Sequence, residues 1–165
     1  MRRLLLPLAL IATIAFAGCG GGGDSSDTSA SAAKTGTTAS APKRTKPKVN
    51  VPSGPPPKNL VVKDLINGNG PTAGLGDFVT VQYVGVDYKT GKQFDASWDK
   101  GQPFPFQIGA GGVIAGWERG VVGMRVGGRR ELIIPPKLAY GPQGQPPVIA
   151  PNATLVFVID LVSVN

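Results

Sequence analysis

The chain has no histidine, and its 165 residues include a single cysteine, Cys19. Without an imidazole, it cannot build a Ser/His/Asp triad, a Cys/His pair or a histidine-based metal site. A single cysteine forms no disulfide within the chain, so stability has to come from packing. Any enzymatic reaction of this chain must therefore need little acid, base or nucleophile, and we expect neither a metal nor a cofactor.

The positive charge lies mostly outside the part that can fold. The net charge is +7, yet residues 60–165 carry nine basic and eight acidic side chains, against eight and two in residues 1–59. Because the second part has no basic face, we expect no nucleic-acid partner. A basic cluster in the first part either contacts anionic lipid headgroups or is simply solvated. Its members are Lys43, Arg44, Lys46 and Lys48.

The first 18 residues have the pattern of a secretory signal. Two arginines are followed by an apolar run over residues 4–16 and by the small residues Ala17 and Gly18. The apolar run is shorter than the ~20 residues of an ordinary membrane-spanning helix. We therefore predict a signal peptide over residues 1–18. A short membrane anchor that stays uncut is the alternative.

Cys19 follows the signal directly. The run from Phe16 to Cys19 resembles the bacterial lipoprotein signal, which implies a lipid on Cys19 and attachment to the outer side of the cytoplasmic membrane. The alternative is a free thiol of no function. The rest of residues 19–59 is rich in Gly, Ser, Thr and then Pro, so we expect a disordered linker that buries no apolar surface.

Residues 60–165 form the expected domain, which is long enough for one hydrophobic core. Ten of the eleven aromatic side chains of the chain fall between Phe78 and Phe157, and this clustering suggests an aromatic-lined hollow. Apolar alternation predicts strands over 60–66, 78–86, 104–108, 129–134 and 154–164.

One short helix is expected among these strands. The spacing of Ile114, Trp117 and Val121 within residues 113–124 is helical. Mostly strands with one helix indicate an α+β fold, an antiparallel sheet of five to six strands curled around that helix. Phe78, Phe106 and Leu155 are expected in the plain core. Glu118 and Arg119 are expected on a solvated helix face.

Three groups of residues occur together in this domain. The first is Tyr83-Val84-Gly85 with residues 91–97, the second is residues 103–109 with 113–118, and the third is residues 139–141 with 149–157. In order and spacing they resemble the FK506-binding-protein family of peptidyl-prolyl isomerases. The resemblance runs from about Leu60 to the C-terminus.

This resemblance implies a hydrophobic pocket between sheet and helix. Trp117 would form the floor under the proline ring. The backbone N–H of Ile114 and the hydroxyl of Tyr140 would hold substrate carbonyls, and Asp95 would lie at the polar edge near Tyr83. These five are the expected catalytic residues. The residues expected to bind substrate around them are Phe94, Phe104, Val113, Ile149 and Phe157.

The resemblance also implies partners and a role. The partners would be proline-containing polypeptides and macrolide inhibitors like FK506, and we expect a monomer that helps extracytoplasmic proteins to fold. A catalytically weak polypeptide-binding or chaperone module that uses the same pocket is the alternative, and a purely structural surface scaffold is a third. Departures from the family pattern bear on rate and sequence preference. They are Trp98, Gln145, Pro146 and Pro147.

Overall fold

The computed structural model describes residues 44–165, which form one sheet and one short helix. The predicted α+β fold, an antiparallel sheet with one helix, is confirmed. No helix among residues 44–165 is long and apolar enough to cross a membrane. The elements are β1 Val61–Ile66, β2 Phe78–Asp87, β3 Gln93–Ala96, β4 Phe104–Gln107, α1 Ala115–Gly120, β5 Arg129–Ile134, β6 Leu155–Val164 and a 3₁₀ turn Pro136–Leu138.

The sheet has six antiparallel strands in the order β1-β5-β6-β2-β3, with β4 also paired to β2. The long strands β2 and β6 lie side by side at its centre. On its other side β2 pairs first with β4, along Phe78–Val81, and then with β3, along Val84–Val86. Its C-terminal half is therefore held between β6 and a strand of only four residues.

Helix α1 lies against β5, and two of its glycines make the close approach possible. A Cβ at Gly120 would lie 2.5 Å from Leu132 Cδ1, and a Cβ at Gly116 would clash with Ile134. Leu132 and Ile134 are fully buried, so neither has room to move. Trp117 projects into the core from between these two glycines. The side of the sheet that faces α1 is called the inner face below.

The opposite side, the outer face, is covered by the segment that precedes β1. Val49 and Val51 pack against an apolar cluster on this face. The cluster consists of Val84, Val86, Tyr88, Ala96, Ile133 and Val156, with Trp98 packed beside it. The name strap is used below for residues 44–57. The expectation that nothing before Leu60 buries apolar surface is thus wrong for the strap, because its two valines supply that surface. The signal peptide, Cys19 and the linker up to residue 43 lie outside the described residues.

Three further features of the structure differ from what the sequence predicts. Strand β3 was not predicted, because four residues after a turn are too few to show an alternating pattern. The helical segment expected over residues 113–124 contains only six helical residues, since Gly123 has a positive φ of 81° soon after the helix ends. Phe78, expected in the core, is 56% exposed, because it starts β2 on the outer face.

Adding a methyl group at the helix–sheet contact should destabilise the fold. We expect Gly120→Ala to lower the free energy of unfolding by up to about 2 kcal/mol, because overpacking against Leu132 costs about 1–3 kcal/mol and the helix-propensity gain offsets only about 1 kcal/mol of it. Urea unfolding measures the change. Gly112→Ala is the matched control, since a Cβ there meets nothing within 4 Å. Equal stability of the two variants would contradict this account of the contact.

Candidate active site

An open cavity of about 170 Å³ lies between the inner face of the sheet and α1. Eight of the ten residues predicted for the site line it, and Gly112 joins them. The lining residues are Tyr83, Phe94, Phe104, Gly112, Val113, Ile114, Trp117, Tyr140 and Phe157. This set of nine residues is called the cup below.

Trp117 lies at the centre of the cup and is only 4% exposed. Its ring meets those of Tyr83 and Phe157 edge-to-face, with centroids 5.0 and 5.2 Å apart. Phe104 makes a third edge-to-face contact at 6.2 Å. Such contacts are favourable because the positive edge of one ring meets the negative face of another. The indole is thereby fixed in place, and its N–H has no hydrogen-bond partner among residues 44–165.

The wall formed by Phe94 and Phe157 depends on the glycine at position 85. The two rings pack edge-to-face with centroids 5.5 Å apart. A Cβ at Gly85 would lie 2.7 Å from Phe157 Cε1 and from Phe94 Cζ. Only a glycine in this part of β2 leaves room for both rings. The sequence contains Gly85 within the first motif, but alternation alone gives it no role.

The polar edge of the cup is a chain of three side chains. The Tyr83 hydroxyl donates a hydrogen bond of 2.6 Å to Asp95 Oδ2. The two side chains therefore lie as close together as the family resemblance implies. On the other side of the carboxylate, Lys100 Nζ lies 2.8 Å from Asp95 Oδ1. Lys100 was not singled out from the sequence. Its position five residues after Asp95, across a turn, was the available signal.

These contacts fix the protonation states at the edge. Burial, followed by the hydrogen bond to Asp95, raises the pKa of Tyr83 to about 12. Burial raises the pKa of Tyr140 as well, and the Asp95 charge adds to this. For Asp95, burial acts upward, but the hydrogen bonds from Lys100 and Tyr83 outweigh it and leave the pKa below its ordinary 3.8. At neutral pH the cup therefore has two neutral hydroxyls, and the Asp95 carboxylate lies charged at its edge.

The segment with Asp95 is fastened to β2 through Ser97, which is 1% exposed. The Ser97 hydroxyl accepts a hydrogen bond of 2.8 Å from the Tyr83 N–H and donates one to Gln82 Oε1. The Ser97 N–H returns a bond of 3.1 Å to the Tyr83 carbonyl. Tyr83 and Asp95 are thus held in register by backbone as well as side-chain contacts.

The loop that enters α1 carries Val113 and Ile114 into the cup. The Glu118 carboxylate accepts hydrogen bonds from the N–H groups of Gly109 and Gly111, the second at 3.0 Å. Glu118 is partly exposed, in line with the expected solvated helix face, and it also anchors the loop, which was not predicted. The Ile114 N–H makes no hydrogen bond to another described residue. It remains a donor at the cavity, which Tyr140 also lines.

Ile149, one of the residues predicted to bind substrate, does not line the cavity. It is 5% exposed and packs in the same core cluster as Trp117.

Two wider grooves, of about 770 and 630 Å³, run beside the strap. Their linings are mostly proline, turn and polar residues, without the aromatic cluster that distinguishes the cup.

The electrostatics of the edge can be tested by titration. We expect Tyr83→Phe and Lys100→Ala each to move the pKa of Asp95 up, because each removes a hydrogen bond to the carboxylate. NMR of the Asp95 carboxyl carbon measures it. Since folding lowers this pKa, the stability contributed by Asp95 is present above about pH 4 and is lost as the pH falls through the folded pKa.

Asp99 is the internal control for this titration. Its pKa is lowered by hydrogen bonds from Lys46 and then Gln93, and neither comes from Tyr83 or Lys100. It should therefore keep its value in both variants. An unchanged Asp95 pKa in both variants would show that the edge is not assembled as described.

Similar proteins match the sequence over the whole region that contains the cup. A family model described as FKBP-type peptidyl-prolyl cis-trans isomerase matches residues 70–162. An FK506-binding protein of Streptomyces anulatus is 58% identical over 120 residues, covering 72% of this chain and 97% of that protein. A probable FK506-binding protein of Corynebacterium glutamicum is 52% identical over 118 residues, covering 72% and 98%.

Solved structures agree with the sequence matches. The crystal structure of AtFKBP13 has a TM-score of 0.60 at 38% identity, covering 66% of this chain and 94% of that one. FkpA from Escherichia coli has a TM-score of 0.59 at 42% identity, covering 64% and 48%. The 72% of this chain matched by the Streptomyces protein exceeds residues 60–165, so that match includes part of the strap. With these matches and the aromatic cup, the chain belongs to the FKBP-type peptidyl-prolyl cis–trans isomerase family.

Proposed function

We propose that the cup is where this chain turns X–Pro peptide bonds, and that its substrates are proline-containing polypeptides outside the cytoplasmic membrane. The observation that carries the proposal is the enclosure of Trp117 by aromatic rings, with the hydrogen-bonded pair of Tyr83 and Asp95 at the edge of the cavity. Such a cavity is apolar where a proline ring would sit and polar where peptide carbonyls would lie.

The proposed reaction needs no acid, base or nucleophile from the protein. Rotation about a peptide bond costs ~18–20 kcal/mol because amide resonance is lost midway. X–Pro bonds populate both isomers, and their exchange is slow enough to limit folding. The twisted amide is less charge-separated than the planar one, so moving it into an apolar cup costs less desolvation. A 10⁴–10⁶-fold acceleration needs only about 5–8 kcal/mol.

Each part of the cup has a role in this proposal. The Trp117 indole supports the proline ring, and the surrounding rings exclude water. The Ile114 N–H and the Tyr140 hydroxyl hold substrate carbonyls, since both donors have no partner among the described residues. Asp95 and Tyr83 hold one another at the edge. No proton is transferred, in keeping with hydroxyls whose pKa values are raised.

A macrolide ligand is part of the same proposal. The Streptomyces and Corynebacterium relatives carry the name FK506-binding protein. We infer that an FK506-type macrolide occupies this cup and competes with peptide. The supporting observation is that the cavity is open and lined mostly by aromatic and aliphatic side chains, which suits the apolar part of such a ligand.

Removal of the floor should lower the activity strongly. We expect Trp117→Leu to lower kcat/KM for a short X–Pro peptide by at least about 10-fold, a loss of 1.4 kcal/mol in transition-state binding. Tyr140→Phe removes only a hydroxyl and should cost about 3–10-fold without disturbing the fold. Phe78→Leu is the control, since Phe78 is exposed on the outer face. Isomer-specific proteolysis or exchange NMR measures the rates.

Two results would overturn the assignment. A folded wild-type sample that does not accelerate isomerisation would remove the enzymatic role, and suppression of aggregation by the same sample would then favour a polypeptide-holding role. Full activity in both Trp117→Leu and Tyr140→Phe would place the reaction elsewhere than in the cup.

We also propose that the protein is a lipoprotein held on the outer side of the cytoplasmic membrane. The support is the signal pattern of residues 1–18 and the Cys19 that follows it. We expect Cys19→Ser to abolish incorporation of labelled fatty acid and to move the protein from the membrane to the soluble fraction. Ser25→Ala, in the same stretch, should change neither. Persistent labelling of Cys19→Ser would exclude Cys19 as the lipid site.

A further inference from the structure

We propose that the strap is a positioning element for the polar edge of the cup, acting from the opposite side of the sheet. The inference rests on the proposed use of the cup for X–Pro bonds and adds to it a determinant of activity outside the cup. The observation behind it is that one short segment, residues 93–100, contacts the strap on the outer face and the cup on the inner face.

An ion pair joins the strap to this segment. Lys46 Nζ lies 2.7 and 2.9 Å from the two carboxylate oxygens of Asp99. Asp99 Oδ2 also accepts a hydrogen bond of 2.7 Å from Gln93 Nε2. The carboxylate therefore connects the first residue of β3 to the turn after it, and Lys46 contributes from the strap.

Apolar contacts of the strap reach the same segment. Val49 and Val51 pack on the outer-face cluster to which Ala96 belongs and beside which Trp98 lies. The Trp98 indole N–H is buried with no hydrogen-bond partner among residues 44–165. Packing, rather than hydrogen bonding, therefore holds this indole. Because an exposed ion pair such as Lys46–Asp99 contributes little, these valines supply most of the attachment.

The start of the strap is fixed independently to the centre of the sheet. The Arg44 guanidinium donates to the Gly127 carbonyl, and the Thr45 carbonyl accepts a bond of 3.0 Å from Arg129 Nη2. Arg129 is itself held by two bonds of 2.7 Å to Asp160. The strap is therefore anchored twice on the outer face. Arg44 and Thr45 hold its start, and Lys46, Val49 and Val51 hold it to residues 93–100.

On the inner face, the same segment carries Phe94 of the cup and Asp95 of its polar edge. Phe94 packs on Phe157, and Asp95 accepts the hydrogen bond of Tyr83. Strand β3 has four residues and, within residues 44–165, pairs only with β2, so its sheet contacts alone constrain it weakly. The strap adds a second set of contacts to the pairing with β2 and holds the segment from the outer face. Loosening it lets Phe94 and Asp95 leave the geometry that fits a twisted amide, and displacements of about 1 Å reduce rates substantially.

The test uses point variants of the full-length chain. We expect Val49→Ser combined with Val51→Ser to undock the strap and lower kcat/KM by about 3–10-fold. Lys46→Glu should act in the same direction, and Asp99→Lys added to it should restore activity by re-forming the pair with reversed charges. Lys48→Glu is the matched control, because it makes the same charge change at an exposed strap residue that has no hydrogen bond or ion pair to a described residue.

Two readouts separate positioning from general stability. The indole N–H resonance of Trp98 reports whether the strap is docked, and the pKa of Asp95 reports whether the polar edge is intact. We expect the double valine variant to shift both. Peptide isomerisation by the wild-type chain tests the proposed function itself, whereas the Asp95 titration tests the strap even if that activity is absent.

Three outcomes would overturn the proposal. The first is an undocked strap, shown by Trp98, with kcat/KM and the Asp95 pKa unchanged. The second is an unchanged Trp98 resonance in the double valine variant, since the strap would then not be held as described. The third is equal behaviour of Lys46→Glu and Lys48→Glu in every readout, which would remove the ion pair from the mechanism.

Discussion

The edge-to-face packing of Trp117 against Tyr83 and Phe157 joins the helix to the sheet. Helix α1 has six residues, too few to be stable alone, so it exists because its side chains pack against the inner face. Glycines on either side of Trp117 let it approach β5 closely enough for the indole to reach both rings. The floor of the cup is therefore also a main support of the core.

That constraint determines what chemistry is available. Rings packed this closely leave a small open cavity lined mostly by aromatic and aliphatic side chains, with the tyrosine hydroxyls and Asp95 at its edge. Tyr83 and Tyr140 keep their protons, and Asp95 stays charged at neutral pH. The protein can therefore favour one shape and one charge distribution of a peptide bond, but it offers no poised acid or base. Rotation about a prolyl bond needs neither an acid nor a base, so it fits these groups. The lack of histidine in the sequence agrees with such a reaction.

Long regular elements and composition were predictable from the sequence, whereas short or remote contacts were not. Strands β2 and β6 are long enough for alternation to show, and the spacing around Trp117 indicates the helix. Which side chains meet in the cup followed from family resemblance, because they come from distant parts of the chain. Strand β3 is too short to leave a pattern. The strap was missed because Pro-rich composition describes the average of a segment, while two valines and one lysine decide whether it docks.

The most direct test of this account is the indole N–H resonance of Trp117 during titration with a proline-containing peptide under turnover. The chain has only two tryptophans, so Trp98 on the outer face provides a reference in the same spectrum. The account predicts a saturable shift of Trp117, larger than that of Trp98, with the same half-saturation as the catalysed exchange of the peptide. Isomerisation that proceeds while the Trp117 resonance stays unmoved would contradict it.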